Sequence, residues 1–217
     1  SAINFGIRHS NSNIIGILHS DDIFYSKSVL SNIYKLHQTE KFDVCYGSIL
    51  YSKRNNLRQV TRIWKENNMT KKNYWTPPHT STFIDKNKVN LEYDEKYYIS
   101  SDTKYLLEIF KANKLKKSFY SNYTTIMRAG GLSTSFKNLR LQKTKILEDL
   151  QIFSHFKLSN FDYLKKIFSK YGQILFLRKY FLNNKFYELF YNIENKIKLI
   201  SSTSKIDFKK NFILSGL

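Results

Sequence analysis

Cysteine and proline are nearly absent from this chain. The one cysteine, Cys45, excludes an intramolecular disulfide, and its place in the apolar run Val44-Cys45-Tyr46 reads as a buried, inert thiol rather than a nucleophile. A chain with a single thiol fits a reducing compartment. Both prolines stand together as Pro77-Pro78, which marks a single sharp break in the pattern. Acidic residues are scarce: 17 against 36 lysines and arginines, a formal net charge of +19. No run of about 18 apolar residues occurs, the length a membrane-spanning helix needs, and the N-terminus has no basic stretch followed by an apolar core.

What is present is a composition 41% apolar and 16% aromatic, enough for a globular domain with a real core. The basic excess invites a polyphosphate partner. It is unevenly spread, however: residues 1–136 carry a net +9 and the much shorter stretch 137–217 carries +10. No zinc-ligand spacing, RNA-binding aromatic motif or basic zipper accompanies it, which argues against nucleic acid as the partner.

The chain is organised around Ile14-Ile15-Gly16-Ile17-Leu18-His19-Ser20-Asp21-Asp22. Four branched apolar residues around one glycine read as a buried strand of a parallel sheet, with two carboxylates just past its C-terminal end. Ligands of open α/β sheets bind at that edge. Adjacent carboxylates call for a counter-charge, so Asp21 and Asp22 are candidates for a metal and phosphate site. The other reading, a turn followed by a helix start, stays open on the pair alone.

Before this strand, residues 1–10 read as the end of a helix, with Ile3 and Ile7 on one face, and the chain starts as though inside a longer protein. After it, 26–38 is an amphipathic helix, 42–51 a strand containing Gly47, and 57–64 a second strand joined to it by the hairpin tip Lys53-Arg54-Asn55-Asn56. A loop carrying Pro77-Pro78-His79 precedes the short strand 82–84, where His79 could be no more than a turn residue. Tyr105, Leu106, Ile109 and Phe110 mark a helix with Ser101 as its N-cap and Asp102 in its first turn, where a carboxylate complements the helix dipole. Strand character at 117–127 runs into Arg128-Ala129-Gly130-Gly131-Leu132-Ser133, whose glycines suit either an anion or an ordinary turn. From about 134 onward the pattern is helical and basic. Leu139, Ile146, Leu147, Leu150 and Phe153 can share a face, and 174–182 sets aromatics beside cations. That composition suits an anionic membrane surface and equally a helical subdomain with a solvated basic face.

In combination these segments resemble the later two-thirds of a family 2 glycosyltransferase of the GT-A fold, of the bacterial surface-polysaccharide type. The resemblance runs from Ser1 to about Leu150. It rests on five pieces in order: Ser1-Ala2-Ile3-Asn4-Phe5-Gly6-Ile7, the strand with its D-x-D-like His19-Ser20-Asp21-Asp22, Tyr46-Gly47, Pro77-Pro78-His79 with Thr82-Phe83, and Ile99-Ser100-Ser101-Asp102 with Arg128 to Ser133. His19 stands where the family usually has Asp or Asn. The family's first strand-helix units, which hold the donor's base and ribose, would precede Ser1.

The resemblance implies an α/β fold: a partial GT-A, Rossmann-like mixed sheet with flanking helices over residues 1–135, followed by a basic amphipathic helical region over 136–217. It implies inverting transfer of a sugar from a nucleoside-diphosphate sugar to a glycan or lipid-linked acceptor in polysaccharide biosynthesis. A divalent cation, Mg²⁺ or Mn²⁺, would be held by Asp21 and Asp22. Asp102 matches the general base, Asn4, Asp21, Arg128, Gly130 and Gly131 the donor and its diphosphate, and His79 the acceptor side. The implied location is cytoplasmic, peripheral on the inner face of the cytoplasmic membrane. The alternative is a truncated, inactive family member serving as a membrane-surface or protein-interaction module.

Overall fold

Val44 to Leu50 form an unbroken buried run, and this run makes the middle strand of the sheet. The computed structural model describes residues 1–64, 76–128, 139–159, 161–165 and 168. In chain order the elements are α1 (Ala2–His9), β1 (Ile14–Gly16), β2 (Ile23–Phe24), α2 (Val29–Glu40), β3 (Val44–Lys53), β4 (Asn56–Trp64), a 3₁₀ turn (His79–Ser81), β5 (Thr82–Asp85), α3 (Ser101–Lys111), β6 (Lys117–Arg128) and α4 (Leu139–His155). The sheet runs β1-β5-β3-β6-β2, and β4 pairs with β3 outside that path.

One edge of β3 is shared: Val44, Cys45 and Tyr46 pair with β5, and Ile49 to Lys53 pair with β4, both antiparallel. The other edge pairs with β6 in parallel, from Val44 opposite Lys117 to Ser52 opposite Arg128. That register shifts between Tyr46 and Ser48, where β6 bulges against Gly47. A Cβ at Gly47 would stand 2.9 Å from Thr124 Cγ2 and 3.2 Å from the Asn122 carbonyl, so the bulge requires glycine here.

Alternation along β3 divides the core. Val44 and Tyr46 pack with Ile7 of α1, Ile84 of β5 and Leu106, Ile109 and Phe110 of α3. Cys45 packs on the other face with Val29 and Ile33 of α2, Phe42, Phe83 and Tyr120. Helices therefore flank both faces of a mixed sheet, the arrangement of the expected partial GT-A fold. A third cluster joins Tyr97 and Leu107 to Ile152 and Phe153 of α4 and to Tyr163. Burying each Leu, Ile or Phe in these clusters contributes about 1.5–3 kcal/mol.

Two local expectations are corrected. The run at Ile14 is an edge strand, antiparallel to β5 and only half-buried, not a buried parallel strand. A short apolar run carries no information on the direction of its partner, and here that partner is β5. The Phe83 ring lies over Gly16, where a Cβ would meet it at 2.5 Å. On α4 the face turned inward carries Glu148, Asp149, Ile152 and Phe153, whereas Ile146 and Leu147 are exposed. The stretch 174–182 lies outside the described residues.

Candidate functional site

The chain turns sharply after β1, with the Asp22 N–H donating to the His19 carbonyl at 3.0 Å. Pairing of Ile23 with Ile126 then sets Asp22 beside the end of β6. There the Arg128 N–H donates to Asp22 Oδ1 at 3.2 Å, its Nε to the Asp21 carbonyl at 2.7 Å, and its Nη1 to the Arg54 carbonyl at 2.9 Å. Arg54, on the β3–β4 hairpin tip, brings Nη1 within 3.4 Å of Asp21 Oδ2. One arginine thus braces the turn through its backbone while the other neutralises its first carboxylate.

Asp22 is 7% exposed, and among the described residues its Oδ2 has no hydrogen-bond partner. Burial raises its pKa above the ordinary carboxylate value, an effect that the Arg128 N–H and charge offset only in part and the neighbouring Asp21 reinforces. Among the described residues no group of three or more His, Cys, Asp and Glu side chains is arranged to hold a metal ion. Mg²⁺ in phosphate-transfer sites commonly takes one or two carboxylates and completes its shell with substrate phosphates and water. An orphaned carboxylate oxygen beside a second carboxylate fits that habit.

The same turn contributes an imidazole. His19 Nε2 lies 2.6 Å from His79 Nε2, and the rings meet edge-on. His79 Nδ1 in turn faces Asp102 Oδ2 at 3.3 Å. Burial lowers the His19 pKa, and His79 lowers it further against the pull of Asp21 and Asp102. Burial works against the Asp102 carboxylate, yet the hydrogen bond from His79, the Lys145 ammonium and the Thr103 N–H together hold it well below the ordinary carboxylate range. Asp102 is therefore an anion at neutral pH, with a third of its side chain open to solvent.

The platform under Asp102 is the start of α3. Its N-cap is Ser100 rather than Ser101, and the Ser100 hydroxyl makes no capping bond. The approach to the helix is held instead by Glu148 of α4, whose carboxylate accepts the N–H groups of Tyr98, Ile99 and Ser100. Lys145, one turn earlier on α4, donates to the Ser100 hydroxyl at 3.2 Å and pairs with Asp149.

Of the residues singled out in the sequence, Asp21, Asp22 and Arg128 come together at one end of the sheet, and Asp102 and His79 meet beside them through His19. Asn4 is buried and engaged elsewhere: its Nδ2 donates to the Tyr93 carbonyl and its Oδ1 accepts the Tyr93 N–H, both at 2.8 Å. Gly130 and Gly131 lie outside the described residues. Sequence reasoning passed over Arg54 and Glu148 as site residues. Arg54 was legible only as a basic hairpin tip, whereas Glu148-Asp149 carries a weak signal as the only acidic pair in an otherwise basic helix.

Compared with known families, residues 1–97 fit the model of Glycosyl transferase family 2. The matched segment includes the turn with Asp21 and Asp22, and His79; it ends before Asp102 and Arg128. The match supports glycosyl transfer as the general activity, with a nucleotide-sugar donor and an acceptor as the general ligands. No curated protein was found to match the chain.

Proposed function

We propose that this chain belongs to an inverting, metal-dependent glycosyltransferase that moves a sugar from a nucleoside-diphosphate sugar to a glycan or lipid-linked acceptor in polysaccharide biosynthesis. The observation that carries the reading is the meeting of Asp22 with its orphaned oxygen, Arg128 and the His79–Asp102 pair, from four separate parts of the chain, at one end of the sheet.

Asp21 and Asp22 are the residues that would hold Mg²⁺ or Mn²⁺, and the cation would supply positive charge against the departing diphosphate. The guanidinium of Arg128, and that of Arg54 once it leaves Asp21, favour the same anion from this chain's own side. In transfer with inversion, the acceptor oxygen bonds to the anomeric carbon from the face opposite the diphosphate. The bond to the leaving oxygen breaks, and its electron pair departs with the nucleoside diphosphate. The hydroxyl proton passes to Asp102, which is anionic and partly open to solvent.

The test is release of nucleoside diphosphate by the full chain from a panel of UDP-, GDP-, ADP- and dTDP-sugars, with Mn²⁺ or Mg²⁺ and after chelation. Release from at least one donor, lost on chelation, is the expected result. Absence of release and of nucleotide binding across the panel would favour the inactive-module alternative.

A further inference from the structure

The His19–His79 contact belongs to no role assigned so far, and its geometry restricts where the protons can lie. A carboxylate oxygen can only accept, so His79 Nδ1, facing Asp102 Oδ2, carries a hydrogen. A His79 in its neutral form then presents a lone pair at Nε2. The nitrogen 2.6 Å away is in that case the donor, the Nε2–H of His19. Hydrogens thus run in one direction, from His19 through His79 to Asp102.

His79 also stands on an unusually well-tied support. Pro77-Pro78 restricts the backbone before it, and the Pro78 carbonyl accepts from the Ser81 N–H, the Ser81 hydroxyl and the Thr82 hydroxyl. The Thr125 hydroxyl of β6 donates to the Thr80 carbonyl at 2.9 Å. The rest of the carboxylate is less constrained: Asp102 Oδ1 is bound by Thr103 within its own helical turn.

We propose that His79 is the positioning residue of the Asp102 carboxylate, held in the required tautomer by His19. His79 does not itself hydrogen-bond the acceptor. In this arrangement the residue that departs from the family's usual Asp or Asn, His19, serves an internal partner. The turn that carries Asp21 and Asp22 is thereby joined to the proton-accepting carboxylate through side chains alone. The proposal rests on the transferase reading above.

The test uses three substitutions in the full chain, assayed on whichever nucleotide sugar the wild type turns over. Asparagine keeps a donor at the Nδ1 place, glutamine at the Nε2 place, and alanine at neither. H79A should lower kcat about 100-fold, the scale of misplacing a reacting group by roughly an ångström, with KM for the donor unchanged. H79N should recover much of that loss and H79Q should not. Equal loss in H79N and H79A, or a rise in KM in place of the fall in kcat, would overturn the proposal. Long-range ¹H–¹⁵N spectra give a readout that needs no turnover. His79 should carry its proton on Nδ1 in the wild type, and that preference should weaken in D102A. A wild type that turns over no donor defeats the transferase reading, whereas a His79 protonated at Nε2 defeats this proposal whatever the activity.

Discussion

Glu148 holds Ser100: the carboxylate on α4 accepts the Ser100 N–H at 2.8 Å, two residues before Asp102. The N–H groups of Tyr98 and Ile99, at 2.8 and 2.9 Å, share the same carboxylate, so one side chain satisfies three donors that lead into α3. Replacing Glu148 by alanine leaves them without that acceptor and should cost about 3 kcal/mol in chemical denaturation. Glutamine, with one acceptor oxygen, should fall between. A loss below about 1 kcal/mol would mean that water replaces the carboxylate without penalty.

Asp102→Asn retains shape but cannot take up the acceptor proton. Turnover should fall by about 10²–10⁴, the usual worth of a general base, while binding of the nucleoside diphosphate is unchanged. Parallel loss of binding and turnover would instead assign Asp102 to the framework of α3.

Asp21→Ala with Asp22→Ala removes both carboxylates from the turn. Calorimetry with UDP and GDP should then find the same affinity with and without Mn²⁺, whereas the wild type should bind the nucleotide more tightly with the ion. Persistence of the Mn²⁺ effect in the double variant would move the cation site elsewhere.

Cys45 is fully buried between β3 and α2, and burial, with a smaller contribution from Glu40, pushes its thiol pKa up to about 12. The unfolded chain ionises its cysteine near 8.5. The folded value lies above the unfolded one, so this group's contribution is intact below about pH 8.5 and is lost progressively as pH rises toward 12, by up to about 1.4 kcal/mol per unit. Denaturation midpoints should therefore fall between pH 9 and 11, less steeply in Cys45→Ala. Tyr93 and Tyr105, also raised by burial, leave a residual slope. A thiol reagent at pH 8 should react only after denaturant is added.

Phe161, Leu164 and Phe168 are exposed at a helix-like spacing, and Lys165 Nζ lies 4.3 Å over the Phe161 ring. This apolar stripe lies within the basic stretch 137–217, and we propose an anionic membrane surface as its partner, each basic residue near such a surface contributing about 1 kcal/mol. Sedimentation with vesicles containing phosphatidylglycerol should be weakened by salt and further by F161S/F168S. Binding to single- or double-stranded nucleic acid without vesicle binding would reverse the assignment.

The elements that were legible in the sequence are those whose periodicity is local. Val29 and Ile33 mark the buried side of α2, the Lys53 to Asn56 cluster marks the hairpin, and Leu106, Ile109 and Phe110 mark α3. Asp21, Asp22 and Asp102 stand out as candidates because carboxylates at strand ends and helix starts are informative by type. Pairings between distant residues left no such trace. His19 and His79 meet across sixty positions, and Arg54 reaches Asp21 only because the hairpin folds back. On α4 the apolar count itself misled. Glu148 faces inward because backbone N–H groups of the α3 entry need an acceptor, and a charged residue in a core position breaks the pattern that would have identified the face.

The parallel pairing of β3 with β6 also imposes an order in time. β3 finds β4 through a tight hairpin as soon as both exist, but its other edge waits for a strand that lies beyond the 3₁₀ turn, β5 and α3. Non-local parallel closure of this kind is slow compared with local turns and helices. Arg128, the last residue of β6, reaches Asp22 only when that closure is complete. A nascent chain emerging from the ribosome would thus have α1 to α3 and the hairpin well before Arg128 could brace the turn of Asp21 and Asp22. On refolding, recovery of helical circular dichroism should precede recovery of nucleotide binding.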